Sequence, residues 1–231
     1  MAARREPHVR PGLLSDFILG SQDGLVNVLG ILLGLSAATN DTRLIIIAAL
    51  AALGAESVSM GAVAYTSTLA RQRTYEAERR KELEEMRDLP DVEREEVRVI
   101  FRNWGYEGDE LEEMVRKVEA KPKAMLDLMM AFELNLAVVA NDQPGRSALT
   151  VFAATVVGSA IPLVPFLIPG VPVVTQAVSA VVVSGVALFG IGWYEAHITV
   201  GPFWKSGLRM LLIGLGAGLV GFLIGIAAHV Y

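Results

Sequence analysis

Glu56 and Met60 stand one helical turn apart inside a run, Leu44 to Leu69, that is otherwise apolar. Asp23 lies inside the preceding apolar run, with Asn27 one turn on. A carboxylate at bilayer depth costs roughly 2.5–3.5 kcal/mol on insertion scales, and such acids usually face a partner, a cavity or a cation. Two buried acids and a thioether at helical spacing fit an ion path. The structural alternative is local glue, with the acids bonded to Ser57, Ser59 or Tyr65. Further along, Glu82 and Glu85 are three residues apart, as are Glu93 and Glu96. Met129 and Met130 precede Glu133 by four and three residues, so each shares a helix face with it. Carboxylate oxygens suit Mn²⁺ and Fe²⁺, and a thioether adds soft character. The competing readings are a solvated charged face for the glutamates and core filling for the methionines.

The elements that must hold these residues are membrane helices. The chain of 231 residues is 53% hydrophobic, with a mean hydropathy of +0.46, high for a soluble domain. About 20 residues cross a hydrocarbon core. Runs of that length cover Leu13–Ala38, Leu44–Leu69, Ala148–Ile168, Val171–Tyr194 and Met210–Val230, the last three free of Asp, Glu, Lys and Arg. Arg4, Arg5 and Arg10 precede the first run without an A-x-A-like cleavage site, so that run reads as a retained span with a cytoplasmic N-terminus. Five spans then place the C-terminus outside, with the Tyr194–Leu208 connection, including Lys205, and Arg209 just beyond it, on the cytoplasmic side. The chain contains no cysteine, which removes disulfides and thiolate metal sites.

Charge is concentrated in one segment. Between Arg71 and Arg146 lie 19 of the 25 acids and 14 of the 20 basic residues, so the net charge of −5 resides there. The chain divides into 1–70, carrying the N-terminal segment and two spans, a polar helical module over 71–146, and 147–231 with three spans. An acidic module suits cations better than nucleic acid or anionic lipid. No Gly or Pro occurs from Ala62 to Leu89. The second span therefore continues as one helix into water, for roughly 30 Å at 1.5 Å per residue, until Pro90 ends it. Asp91–Arg102 reads as the next helix. Asp109 is placed to N-cap a helix over Glu110–Ala120, with Glu112 completing a capping box. Pro122 opens another, Lys123 to about Leu136. The expected class is all-α.

Gly20/Gly24 and Gly30/Gly34 in the first span, and Gly214/Gly218 and Gly221/Gly225 in the fifth, form small faces that let helices approach. They serve either packing within the bundle or a dimer face. The histidines are His8, His197 and His229. None lies in the module, which argues against a di-iron oxidase built on Glu-x-x-His pairs and against a zinc-finger-like site.

The Ser-Gln-Asp-Gly-Leu run at Ser21–Leu25 with Gly30, Gly34 and Ser36 resembles the first span of the vacuolar iron transporter family. Ser59–Gly61 with Tyr65 resembles its second span, and Leu126–Leu134 resembles the end of its cytoplasmic metal-binding module. The resemblance covers nearly the whole chain. It implies a non-enzymatic, homodimeric exporter of cytosolic Fe²⁺ and related divalent metals, driven by proton exchange, with Mn²⁺, Zn²⁺ or Co²⁺ as further cargo and no permanent cofactor. It implies metal ligands at Glu82, Glu85, Glu93, Glu96, Met129, Met130 and Glu133, and a path lined by Asp23 and Met60 near the dimer axis. The family's acid two turns before the span-two methionine falls here on Ala52, whereas this chain carries Glu56 one turn before it. The two positions lie within about 40° on a helix, so Glu56 is expected to serve the same cavity at another depth. A membrane metal sensor without transport is the rival reading. A prokaryotic cell membrane is the expected location, or a vacuolar membrane in a eukaryote.

Overall fold

The computed structural model describes residues 11–134, 136, 143–199 and 201–229. Arg4, Arg5 and Arg10, on which the orientation reading rests, lie outside them, as do His8 and Val230. Among the described residues the chain is all-helical, without strands: α1 Pro11–Ala38, α2 Thr42–Asp88, α3 Pro90–Asn103, α4 Gly108–Glu119, α5 Pro122–Phe132, α6 Pro144–Leu163, a 3-10 turn Val164–Leu167, α7 Val173–Ile198 and α8 Phe203–His229. Five of these helices are long and apolar enough to cross a membrane. Two compact units are present, Met1–Tyr65 with Pro144–Tyr231, and Thr66–Gln143.

In the first unit the glycine faces act within the bundle. A Cβ on Gly24 would meet Thr155 and Ser159 of α6, and one on Gly20 would meet the Val151 carbonyl 2.6 Å away. Further along α1, Gly34 faces Gly221 of α8, whose own Cβ would strike the Gly30 backbone. These glycines therefore let α1 lie against α6 through one half of its length and against α8 through the other. Where side chains are larger, Val28, Leu29 and Leu32 of α1 share a core with Ile45 and Ala49 of α2, Phe166, and Val173 and Ala180 of α7. Asp41 caps α2, its Oδ1 accepting from the Arg43 and Leu44 amides at 2.9 and 3.2 Å. Gln176 of α7, 2% exposed, donates to the Ile168 carbonyl at 3.1 Å and accepts from the Thr42 hydroxyl at 3.4 Å.

The fifth span departs from its expected bounds. Its helix begins at Phe203, seven residues before Met210, because Lys205 and Ser206 already donate their amides to the Pro202 carbonyl. Lys205 and Arg209 thus belong to the helix and not to a connection, and Arg209 reaches back to Glu195 at 3.4 Å. Hydropathy alone does not register this first part, whose basic side chains Lys205 and Arg209 are exposed. His197 is exposed and stacks on Trp193, ring centres 5.6 Å apart.

The second unit builds a small core from Val97, Ile100 and Phe101 of α3, Leu111 and Val115 of α4, and Met125 and Met129 of α5. Two expected boundaries and one expected capping contact change. Asp109 does not cap α4: the helix starts at Gly108, and Glu107 stands at the cap position without a side-chain bond. Glu112 forms no capping box, since its carboxylate takes the Arg98 guanidinium at 2.7 and 3.0 Å. Finally, α5 stops at Phe132 and not near Leu136, because after the last regular bond, from the Glu133 amide to the Met129 carbonyl, the Leu134 amide turns back onto that same carbonyl and the Leu136 amide onto Met130.

Candidate metal site and membrane acid pair

Glu82 of α2 and Glu93 of α3 are each 3% exposed. They stand on either side of the Pro90 turn, their carboxyls within hydrogen-bonding reach of one another. Each also keeps one buried oxygen with no hydrogen-bond partner, Oε1 of Glu82 and Oε2 of Glu93. A buried acid without a compensating cation favours its neutral form. Burial first, then the hydrogen bond to Glu82 and repulsion from Glu82, Glu96 and Glu133, pushes Glu93 up to about 8. Burial also raises Glu82, while the bond from Glu93 opposes the rise. Both shifts favour a proton held between the two carboxyls.

Around this pair the charge is unbalanced. Glu133, past the end of α5, is pushed up to about 7 by partial burial and then by Glu96, Glu82 and Glu85, with Lys81 opposing. Glu85 is half-buried and pairs with Lys81 at 3.4 Å, and Glu96 is half-buried. Met129 is fully buried in the apolar core, whereas Met130, also buried, is not part of that cluster. Among the described residues, no three acids or histidines converge as a preformed metal-binding set. The five acids are electrostatic neighbours without a closed coordination shell. Chemically, a proton shared by two buried carboxylates can be exchanged for a divalent cation that uses their free oxygens.

The membrane acids come together differently. The Asn27 amide of α1 donates to Oε1 of Glu56 on α2 in a short hydrogen bond, and the Asp23 carboxyl lies within hydrogen-bonding reach of Glu56. Ser57 does not supply this contact: its hydroxyl, beside Glu56 in sequence, is buried and has no hydrogen-bond partner. Met60, one turn on, is half-buried, as is Ala52 one turn before. Asn27 itself is exposed on the single chain.

Two features were not read from the sequence. One is the Glu82–Glu93 pairing across the turn, which the spacing within each helix does not reveal. A buried-face reading of α3 would have found it, since Glu93 lies four residues before Val97 on the inward side. The other is Asp16, whose Oδ2 accepts from the Ser147 hydroxyl at 2.7 Å and ties α1 to the start of α6.

Five membrane-length helices, with glycine seams joining α1 to α6 and α8, an acid pair between α1 and α2, and a separate helical unit holding buried carboxylates define an integral membrane protein. The sequence profile of the VIT family matches residues 14–226, and the chain belongs to that family. It is 33% identical over 220 residues to vacuolar iron transporter 1 of Eucalyptus grandis, covering 94% of this chain and 88% of the relative. The vacuolar iron transporter of Centaurea cyanus is 34% identical over 221 residues, 94% of this chain and 89% of the relative. Vacuolar iron transporter 1 of Arabidopsis thaliana is 32% identical over 219 residues, 94% and 87% respectively.

Proposed function

We propose that the protein is a homodimeric transporter that removes Fe²⁺ from the cytosol in exchange for protons, with Mn²⁺ and related divalent ions as further cargo. The observation that carries this reading is the buried Glu82–Glu93 pair with its two orphan oxygens. Burying ionisable groups without a partner is costly, and a captured cation would relieve that cost. In this reading the polar unit faces the cytosol and takes metal through Glu82, Glu85, Glu93, Glu96 and Glu133. Met130, buried outside the apolar core, supplies thioether softness against Ca²⁺ and Mg²⁺, while Met129 is held within that core. Asp23, Glu56 and Met60 then line the path across the bilayer, since a carboxylate can hold either a proton or a cation.

The names of the relatives support iron as cargo. Exposure of Asn27 between two membrane acids supports the homodimer, because a second copy would shield that amide from lipid. The measurement that tests the reading is Fe²⁺ or Mn²⁺ uptake into proteoliposomes with and without a proton gradient. Gradient-dependent uptake that disappears in Asp23→Asn is the expected result. Metal binding with no flux under any gradient would instead favour a membrane metal sensor.

A further inference from the structure

We propose that Trp104 is a positioning residue for the metal cluster, its ring holding the end of α5 so that Glu133 faces Glu93 and Glu96. The inference rests on the reading of this unit as a divalent-metal site.

Glu133 is the acid of the cluster that comes from α5, and it stands outside the helix. It is the C-cap residue, its amide bonded to the Met129 carbonyl at 3.0 Å. Its location depends on what fixes the last turn. The inner face of α5 is fixed in the core by Met125 and, at the start of the last turn, by Met129. The last turn ends in Phe132, 53% exposed. Its ring meets Trp104 edge to face, with centres 4.8 Å apart and planes at 83°. Trp104 in turn is anchored from α3. It is that helix's C-cap, its amide bonded to Ile100 and Phe101, and its ring lies 5.4 Å from that of Phe101. Phe101, 2% exposed, is also met edge-on by Tyr106 at 5.8 Å. Gly105, with φ +92, supplies the reversal that brings Tyr106 back to the Phe101 carbonyl. The four rings form a ladder from the core of the unit to the residue before Glu133. Trp104 is itself half-exposed, so it adds less to the core than to the placement of that last turn.

The test uses the full chain in detergent, titrated calorimetrically with Co²⁺ as probe. Trp104→Ala should bind about tenfold more weakly, the scale on which supporting residues act at metal sites, and Trp104→Phe should restore nearly all of the affinity. The discriminating readout is a double-mutant cycle with Glu133→Gln. If Trp104 acts through Glu133, the loss caused by Glu133→Gln in the parent largely vanishes in the Trp104→Ala background. Parental affinity in Trp104→Ala, or fully additive losses, overturns the proposal. If Trp104→Ala does not fold, Trp104→Leu replaces it in the same cycle under the same criterion. A parent that binds no Co²⁺ defeats the metal reading of the unit, and this assignment falls with it.

Discussion

Asn27 on α1 donates its side-chain amide to the Glu56 carboxylate on α2, across 29 positions of sequence, with Asp23 in reach of the same group. The bond ties the two membrane helices at the depth where the path is proposed. Glu56→Gln keeps shape and removes the charge. Metal binding by the polar unit should persist, while flux should no longer respond to the pH gradient. Asn27→Leu should lower flux as well, by leaving Glu56 without its donor. A pH dye inside metal-loaded proteoliposomes measures both. Parental proton-to-metal exchange in Glu56→Gln would make Glu56 structural and leave coupling to Asp23.

The raised carboxyls of the polar unit predict an inverse dependence of its stability on pH. Glu93 moves from an ordinary value of 4.5 to about 8, so between those values the folded unit holds a proton that the unfolded chain releases. Its stabilising contribution is complete below about pH 4.5 and is lost as pH rises through about 8. Without metal, hydrogen-exchange protection of α3 and α5 should fall from pH 5 to pH 8.5. Added Mn²⁺ should restore protection most at the alkaline end. Protection that is flat with pH would mean that the pair is not buried with a shared proton.

The five spans and the Pro90 turn were legible because length, hydropathy and proline sterics are local signals. What was not legible is what depends on competition between partners. Glu112 had the spacing of a capping residue, but the Arg98 guanidinium offers a charge-assisted, two-bond partner. Lys205 and Arg209 looked like loop charges because hydropathy does not register a helix turn that places basic heads outward. The acids of the candidate sites could be picked out one by one. Their pairing, Glu82 with Glu93 and Glu56 with Asn27, crosses from helix to helix and needed the fold.

The glycine seams predict opposite outcomes at two positions. A side chain on Gly24 would collide with the Thr155 carbonyl and the Ser159 hydroxyl at 2.5 Å, whereas Gly54 on α2 has nothing within 4 Å. Gly24→Val should therefore separate α1 from α6, costing at least the 1–3 kcal/mol typical of overpacking, roughly, and should yield aggregated protein in detergent. Gly54→Ala should be tolerated and gain up to about 1 kcal/mol from helix propensity. Thermal unfolding followed by size-exclusion chromatography compares them. A well-folded Gly24→Val would mean that α1 and α6 can separate at little cost.

The two adjacent methionines should separate by assay. Met129 is 0% exposed and packs with Val97, Phe101 and Val115, while Met130, 2% exposed, lies outside that core cluster. Met129→Ala removes buried contacts and should destabilise the unit by about 2–5 kcal/mol. Met129→Leu conserves volume and should cost less than about 1.5 kcal/mol. Both share a helix face with Glu133, but Met130 is not held in that core cluster, so its thioether is the freer to meet a captured ion. Met130→Leu should leave stability nearly unchanged and weaken the preference for Fe²⁺ or Co²⁺ over Mg²⁺, because only the soft ligand is lost. Chemical unfolding paired with competition titrations on the full chain reads both quantities. If Met129→Leu erodes metal preference as much as Met130→Leu does, then Met129 leaves the core to take part in capture, and both thioethers belong to the site.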